Sequence, residues 1–280
     1  MHRITLLALA AASLATPAAA QTVGVSAAVI NDVRMTTDAN RAVHKAVVRE
    51  RVSLGNDIFT GKASRLQVVL LDRTTFTVGA NARIKVDRFV YDPNRQSSAV
   101  GLQVTRGAFR FMSGRATHNA PGQSAIRTPT ASIGIRGTIV DGVVGADAAR
   151  IARAEPGMRR FQADATATLI LLRGPGATGA GEVPGGIDVT AGGTTVALDQ
   201  AGLAVFVPAP GHAPIGPFAL SPRGSAALTA LLAAPGLPLA NGRDSLDSRS
   251  RSEGVREGPG RGQADPANPN GNPGVRPPRI

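Results

Sequence analysis

The chain has 280 residues, no Cys and no Trp, and its formal net charge at pH 7 is +12. The lack of Cys excludes disulfides, thiolate metal sites and thiol catalysis, although a chain of this length can bury a core without crosslinks. Residues 21 to 240 hold +9 of the charge, an excess that attracts acidic partners such as anionic glycans, phospholipid headgroups or acidic proteins.

The first twenty residues have the pattern of a secretory signal peptide. Arg3 precedes an apolar run that is shorter than the roughly 20 residues needed to span a bilayer, and small residues follow up to Ala20. We predict cleavage after Ala20 and a periplasmic or extracellular location. No later apolar segment reaches spanning length, so we expect no transmembrane segment in the mature chain.

Short runs of alternating apolar and polar residues follow and predict an all-β fold. Residues 66–70 are mostly apolar, which indicates a strand buried on both faces. Residues 82–87 place Arg83 and Lys85 outward, and Arg106–Gly107 reads as a turn between two further strands. The remaining alternating runs in this part are 75–78, 100–104 and 109–111. Strands of about five residues at this spacing are typical of a sandwich, a jelly roll or a solenoid-like stack.

Three motifs in a fixed order give a more specific indication. They are DIFTGKAS at 57–64, GAFRF at 107–111 and IRTPTASIGIRGT at 126–138. Together they resemble the FecR domain over about residues 54 to 145. The chain departs from the family pattern at Asn56, which separates Gly from Asp, and at Arg73, where the family has the Gly of an Asp-Gly-Ser turn. Arg at a turn position of positive φ carries a steric cost that Gly does not.

The resemblance implies a domain that faces the periplasm or the cell exterior. In the best-known members it follows a sigma-factor-binding segment and a transmembrane helix, and it relays the state of an outer-membrane receptor. This sequence shows neither part, so we carry over only an extracytoplasmic recognition or scaffold role.

Several residues are candidates for binding or for close packing. We expect Arg83, Lys85, Arg88 and Arg110 to form one anion-binding patch if their strands are adjacent. Arg136 is a further candidate, because its five donors could bind carbonyls of a neighbouring turn or a carboxylate of a partner. Gly134 and Gly137 flank Ile135–Arg136, and we expect a Cβ at either glycine to crowd a neighbouring strand.

The chain changes character after residue 145. We assign residues 21–145 to the FecR-like β domain and 146–238 to a β extension, with a helical turn near 147–160 and a hairpin at 191–194. A short helix over 226–232 is expected to begin at Ser225 and to end before Pro235–Gly236. Residues 239–280 are dominated by Gly, Pro, Asn, Arg and Ser and are predicted to be a disordered tail.

No catalytic pattern is evident. After the predicted signal peptide only His44, His118 and His212 occur, far apart, and neither a metal-binding cluster nor a nucleophile elbow is present. We therefore predict a non-catalytic protein without a cofactor. The scarcity of aromatic residues disfavours nucleic acid as a partner.

Two hypotheses for the function remain open. The first is a recognition or scaffold module of the cell envelope that binds an envelope protein or an anionic glycan. The second is a structural subunit of a secretion, pilus or polysaccharide-export assembly. A soluble monomer would favour the first, and defined high-order oligomers would favour the second.

Overall fold

The computed structural model describes residues 20–37, 40–114, 116, 122–174 and 185–233. These residues all belong to one unit, residues 1–242. Apart from Ala20, the predicted signal peptide lies outside the described residues, and so does the whole of the predicted tail.

The described chain is mostly β, as predicted. Its strands are β1 (Thr22–Ile30), β2 (Val33–Thr36), β3 (Val43–Lys45), β4 (Arg51–Ser53), β5 (Asp57–Thr60), β6 (Arg65–Leu70), β7 (Thr75–Val78), β8 (Arg83–Asp92), β9 (Ser97–Met112), β10 (Ser124–Arg127), β11 (Ser132–Arg136), β12 (Ile139–Val144), β13 (Thr168–Gly174), β14 (Gly186–Ala191), β15 (Thr194–Leu198), β16 (Leu203–Val207) and β17 (Ile215–Ala219). Its helices are α1 (Ala146–Arg153), a 3-10 turn (Met158–Arg160) and α2 (Pro222–Leu232).

The strands form two sheets that share β9. Sheet 1 has the order β4-β1-β6-β7-β9-β12-β13-β16-β17. Sheet 2 has the order β3-β2-β5-β8-β9-β10-β11-β14-β15. Among the described strands every pair is antiparallel except β9 with β10. The strands that follow residue 145 thus continue both sheets, and the pairing is unlike that of a parallel solenoid.

One apolar core lies between the inner faces of the two sheets. Sheet 1 contributes Phe76, Phe109 and Phe111, and sheet 2 contributes a layer of β-branched and leucine side chains that includes Ile84 and Leu102. Residues at alternate positions of a strand share one face, so the alternation in the sequence accounts for this layer. Arg83 and Lys85 accordingly lie on the outer face of sheet 2.

The outer face of sheet 1 is covered by α1 and α2 where β9, β12 and β13 lie. Leu169 and Leu171 of β13 pack in a second cluster with Leu228 and Leu232 of α2 and with residues of α1. The other face of β13 belongs to the central core, so β13 is buried on both faces. The expectation for residues 66–70 was wrong, because Gln67 and Val69 of β6 are only half-buried.

Strand β9 differs from the prediction in a way that shapes the whole fold. Residues 97–106 pair with β8 in sheet 2, and residues 107–112 pair with β7 and β12 in sheet 1. Gly107, with φ of 82°, lies where the strand changes sheets, and a Cβ on it would be 2.3 Å from the Cα of Ala82. Arg106–Gly107 is therefore a crossing point inside one strand and not a turn between two.

The two glycines of the IRTPTASIGIRGT motif have different roles. A Cβ on Gly134 would have Asp188 atoms 3.9 Å away as its nearest neighbours, so the expected crowding there was wrong. Gly137 has φ of 54°, in the left-handed region that favours glycine. Backbone conformation is thus the reason for glycine at residue 137.

The predicted hairpin and helix are both present in the extension. Gly192 and Gly193 have φ of 52° and 76°, as a type I′ turn between β14 and β15 requires. Helix α2 begins earlier than expected, because Ser221 accepts a hydrogen bond from the Gly224 amide at 3.0 Å and Pro222 occupies the first turn. The start at Ser225 was therefore wrong, and Pro235–Gly236 lies outside the described residues.

The turn at Arg73 keeps the positive φ that a glycine would adopt. Arg73 has φ of 66°, and the buried Asp72 carboxylate accepts hydrogen bonds from both the amide and the hydroxyl of Thr74, each at 2.9 Å. Because Asp72 and Thr74 fix the turn from both sides, the arginine is held in a conformation that costs an L-residue roughly 1–2 kcal/mol.

We predict that Gly107→Ala lowers the free energy of unfolding by about 3 kcal/mol or more, because it combines a positive φ with overlap against the Ala82 backbone. Gly134→Ala, in sheet 2, would place its Cβ 3.9 Å from Asp188, an ordinary contact distance, and should change stability by less than about 1 kcal/mol. Urea unfolding of both variants is the measurement. Equal losses in the two would contradict the crossing-point role.

We further predict that Arg73→Gly raises the free energy of unfolding by about 1 kcal/mol, because glycine relieves the left-handed strain. Arg95→Gly is the control, since Arg95 is also an exposed turn arginine but has no positive φ. That control should be neutral or destabilising. Thermal unfolding of both variants measures the change in stability. A loss of stability for Arg73→Gly would refute backbone strain at Arg73.

Candidate anion-binding site

A row of cationic side chains crosses the outer face of sheet 2. In register, Lys45 of β3 is opposite Arg34 of β2, Arg34 is opposite Phe59 of β5, and Phe59 is opposite Arg83 of β8. Arg83 is in turn opposite Arg106 of β9. The four cations are exposed. We call Lys45, Arg34, Arg83 and Arg106 the basic row.

Phe59 and Asp57 order the centre of the basic row. The guanidinium of Arg83 lies over the Phe59 ring, 5.1 Å from its centroid. The Asp57 carboxylate accepts from Arg83 at 3.4 Å, lies 3.9 Å from the Lys85 ammonium and forms an ion pair with Arg41. The single negative charge of the nearly buried Asp57 is thus shared among three cations, so this cluster keeps a net positive charge.

The basic row is unfavourable for the stability of the sheet. Like charges opposite each other on neighbouring strands destabilise the pair. The exposed contact of Arg34 with Asp32, at 3.5 Å, offsets little of this, since exposed ion pairs contribute about 0–1 kcal/mol. Neighbouring strands lie about 4.8 Å apart, so the row presents cations at a spacing that one extended polyanion can contact together.

Two of the predicted binding residues lie in this region and a third is close by. Arg83 belongs to the row, and Lys85 adjoins it through Asp57. Arg88 is exposed on the same strand beyond a bulge, opposite Gly101. Sequence reasoning missed Arg34 and Lys45 because it did not predict β2 and β3, although the alternation Val33-Arg34-Met35 was a usable signal.

Arg110 lies in the other sheet. Its guanidinium donates to both carboxylate oxygens of Asp141, from Nε at 2.6 Å and from Nη2 at 2.8 Å. Asp141 is fully buried and also accepts from Arg173 at 2.7 Å, and Arg173 donates to the Thr229 hydroxyl of α2. This network joins three strands of sheet 1 to the helix above them, so Arg110 is not adjacent to Arg83 and Lys85.

The environment of Arg110 favours its charged form. Burial lowers the pKa of the guanidinium, but the hydrogen bonds and the negative charge of Asp141 outweigh this effect, so the pKa of Arg110 is above its ordinary value. A guanidinium held by a buried carboxylate in this way contributes to the structure of sheet 1.

Arg136 forms an ion pair with Asp188 across β11 and β14. This contact is neither of the two alternatives considered from the sequence, because the carboxylate belongs to the same chain and not to a partner. Both side chains remain more than one-third exposed. A binding role for Arg136 stays a prediction.

The histidines are not grouped in the described part of the chain. The His44 ring is paired with Glu50, His212 is exposed, and His118 lies outside the described residues. The described residues contain no group of three or more His, Asp or Glu that could hold a metal ion. Neither of their helices has the length and apolar character that crossing a bilayer requires.

Comparison with known families confirms the resemblance for part of the chain. Residues 56–154 match the model of the family described as FecR protein. The match begins just before β5, contains Arg83 and Arg106, and ends after α1. The chain is therefore a mostly β protein whose residues 56–154 are similar to the FecR family.

Similarity outside that family model is slight. Two crystal structures, at 1.65 Å and 2.50 Å, of a protein from Parabacteroides distasonis proposed to be an anti-sigma factor each show 14% identity and a TM-score of 0.35. The alignments cover 57% of this chain and 57% of that one, so the chain spans little more than half the length of these neighbours. We draw no function from a likeness of this degree. No curated protein matches the chain.

We predict that Asp141→Asn lowers the free energy of unfolding by about 3 kcal/mol, because it leaves Arg110 and Arg173 without their buried carboxylate. Asp188→Asn breaks the partly exposed pair with Arg136 and should cost less than about 1 kcal/mol. Chemical unfolding of both variants tests this. A near-neutral Asp141→Asn would show that the network does not stabilise sheet 1.

Proposed function

We propose that the chain is an exported, non-catalytic recognition module of the cell envelope that binds an anionic glycan through the basic row. The observation that carries the proposal is the alignment of Lys45, Arg34, Arg83 and Arg106 across five strands. A ligand with regularly spaced carboxylates or phosphates would replace the mutual repulsion of these cations by attraction. The signal-peptide pattern at the N-terminus and the FecR match support an envelope location.

The outer face of sheet 2 offers an extended ligand polar groups beside the basic row. Gln103 is exposed opposite Lys85, and the small residues Ala125 and Gly134 lie opposite each other on β10 and β11. A polysaccharide needs hydrogen-bond donors and charges on an open face, which the row and Gln103 supply. The bulge before Arg88 adds one more exposed cation at the margin of the row.

A second candidate function, a structural subunit of an envelope assembly, is favoured by β15, which among the described strands pairs only with β14 and so ends sheet 2. In β15 Thr194, Thr195 and Ala197 are exposed, and the strand has neither a charged residue nor Pro, the usual protections of an edge. The edge strand of sheet 1, β17, contains Pro217. Defined oligomers in light scattering that dissociate in an Ala197→Lys variant would favour assembly over glycan recognition.

We predict that the purified protein binds alginate, a polyuronate, and not neutral dextran. The variant Arg34→Ser/Arg83→Ser/Arg106→Ser should bind alginate about tenfold more weakly, since three exposed charge contacts of roughly 0.5 kcal/mol each are lost. Isothermal titration calorimetry at low and high salt measures both affinities. Binding should weaken as salt rises, because the screening length shrinks from about 10 Å at 0.1 M to about 3 Å at 1 M.

A charge-matched control distinguishes binding by the basic row from attraction by the overall net charge. Arg153→Ser/Arg159→Ser/Arg223→Ser removes three exposed arginines that lie outside sheet 2. The control should bind alginate like the unmodified protein. An equal loss of alginate affinity in both triple variants would mean that overall net charge, and not the basic row, causes the binding. Unchanged binding in the row variant would refute the proposal.

A further inference from the structure

The turn between β3 and β4 exposes two apolar side chains. Val47 is 59% exposed and Val48 is 53% exposed. The Glu50 amide donates to the Val47 carbonyl at 3.3 Å, and Arg49 has φ of 67°, so residues 47–50 form a turn whose third residue is left-handed. Turns of this kind usually consist of Gly, Asn, Asp, Ser or Pro. Two β-branched apolar residues at the exposed start of such a turn are unexpected on structural grounds.

The turn is held firmly against the rest of the domain. One carboxylate oxygen of Glu50 accepts from the Val47 amide at 2.9 Å, and the other is paired with the His44 ring. The Arg49 amide donates to the Ser26 carbonyl at 2.7 Å, and the Ser26 amide donates to the Glu50 carbonyl at 2.9 Å. The valines are therefore presented in one conformation, and binding through them requires little further ordering.

Three cations lie within three residues of the two valines in the sequence. Lys45, Arg49 and Arg51 are exposed, and none of them forms an ion pair with a carboxylate among the described residues. The one acidic side chain of the segment, that of Glu50, is turned to His44 and to the backbone. The turn therefore combines two exposed valines with three neighbouring cations that form no ion pair among the described residues.

We propose that this turn docks on an anionic phospholipid surface, with Val47 and Val48 inserted at the boundary of headgroups and acyl chains. Lys45, Arg49 and Arg51 then contact lipid phosphates. Burial of the two side chains removes apolar area from water, and each cation near an anionic bilayer adds attraction. A glycan offers nothing to the valines, and the tip is far too small for a stable protein interface, which buries about 1,200 Å² or more.

The proposed lipid contact is separate from the basic row proposed to bind a glycan, and the two sites share only Lys45. The valines and Arg49 lie outside the basic row, and Arg34, Arg83 and Arg106 lie outside the turn. Variants that leave Lys45 unchanged can therefore test each site without disturbing the other.

The test uses vesicles of phosphatidylcholine with and without phosphatidylglycerol. The purified protein should co-sediment with the anionic vesicles and not with the neutral ones. Val47→Ser/Val48→Ser should weaken that binding roughly tenfold. Val90→Ser is the control, because Val90 is a 57% exposed valine on β8 and lies outside the turn. Binding of the double variant equal to that of the unmodified protein would overturn the proposal, as would absence of binding to anionic vesicles.

The chain has no Trp, so a single introduced Trp reports insertion directly. Val48→Trp should show a blue-shifted emission on anionic vesicles and quenching by brominated lipid, whereas Val90→Trp should show neither. An unshifted Val48→Trp spectrum in a protein that does bind would also overturn insertion. The variant Arg34→Ser/Arg83→Ser/Arg106→Ser should keep the shift of Val48→Trp, so failure of glycan binding and failure of lipid insertion are told apart.

Discussion

The architecture depends on the passage of one strand from sheet 2 into sheet 1 at Gly107. Only a residue without a Cβ can adopt the positive φ there while its Cα lies against the Ala82 backbone. Because β9 belongs to both sheets, the two sheets close over one core at that point. Phe109 and Phe111 follow within four residues and fill the core, and the ring of Phe109 lies over Gly142, where a Cβ would be 2.2 Å from it. Gly107 and Gly142 thus provide the backbone conformation and the space that the core phenylalanines require.

The same crossing separates arginines that are close in the sequence. Arg106 is the last residue of the part of β9 that pairs in sheet 2, and its side chain is exposed beside Arg83. Arg110 belongs to sheet 1, where its guanidinium is bound to the buried carboxylate of Asp141. One arginine is available to a ligand, and the other joins strands beneath α2. Their different roles follow from the sheet in which each one lies and not from residue type.

Much of the fold could be read from local alternation, and the rest depended on contacts that are distant in sequence. The inward and outward assignment of Ile84 and Arg83 followed from strand periodicity, and the Gly192–Gly193 turn followed from its glycines. A glycine inside an apolar pattern reads as a turn, so the continuity of β9 was not evident. The partner of Arg110 was equally hidden, because Asp141 is 31 residues away and only the pairing of β9 with β12 brings them together.

The candidate site was located only in part for the same reason. A charge excess predicts an acidic partner but not a surface, and the surface here is assembled from five strands with Lys45 at one end and Arg106 at the other. Lys45 also precedes the exposed turn of Val47 and Val48, so the row and the turn share one cation. A charge excess of this kind attracts acidic partners over a distance before any contact forms. Short-range contacts at the turn and along the row then differ in their dependence on salt, since apolar burial is not screened and exposed charge pairs are.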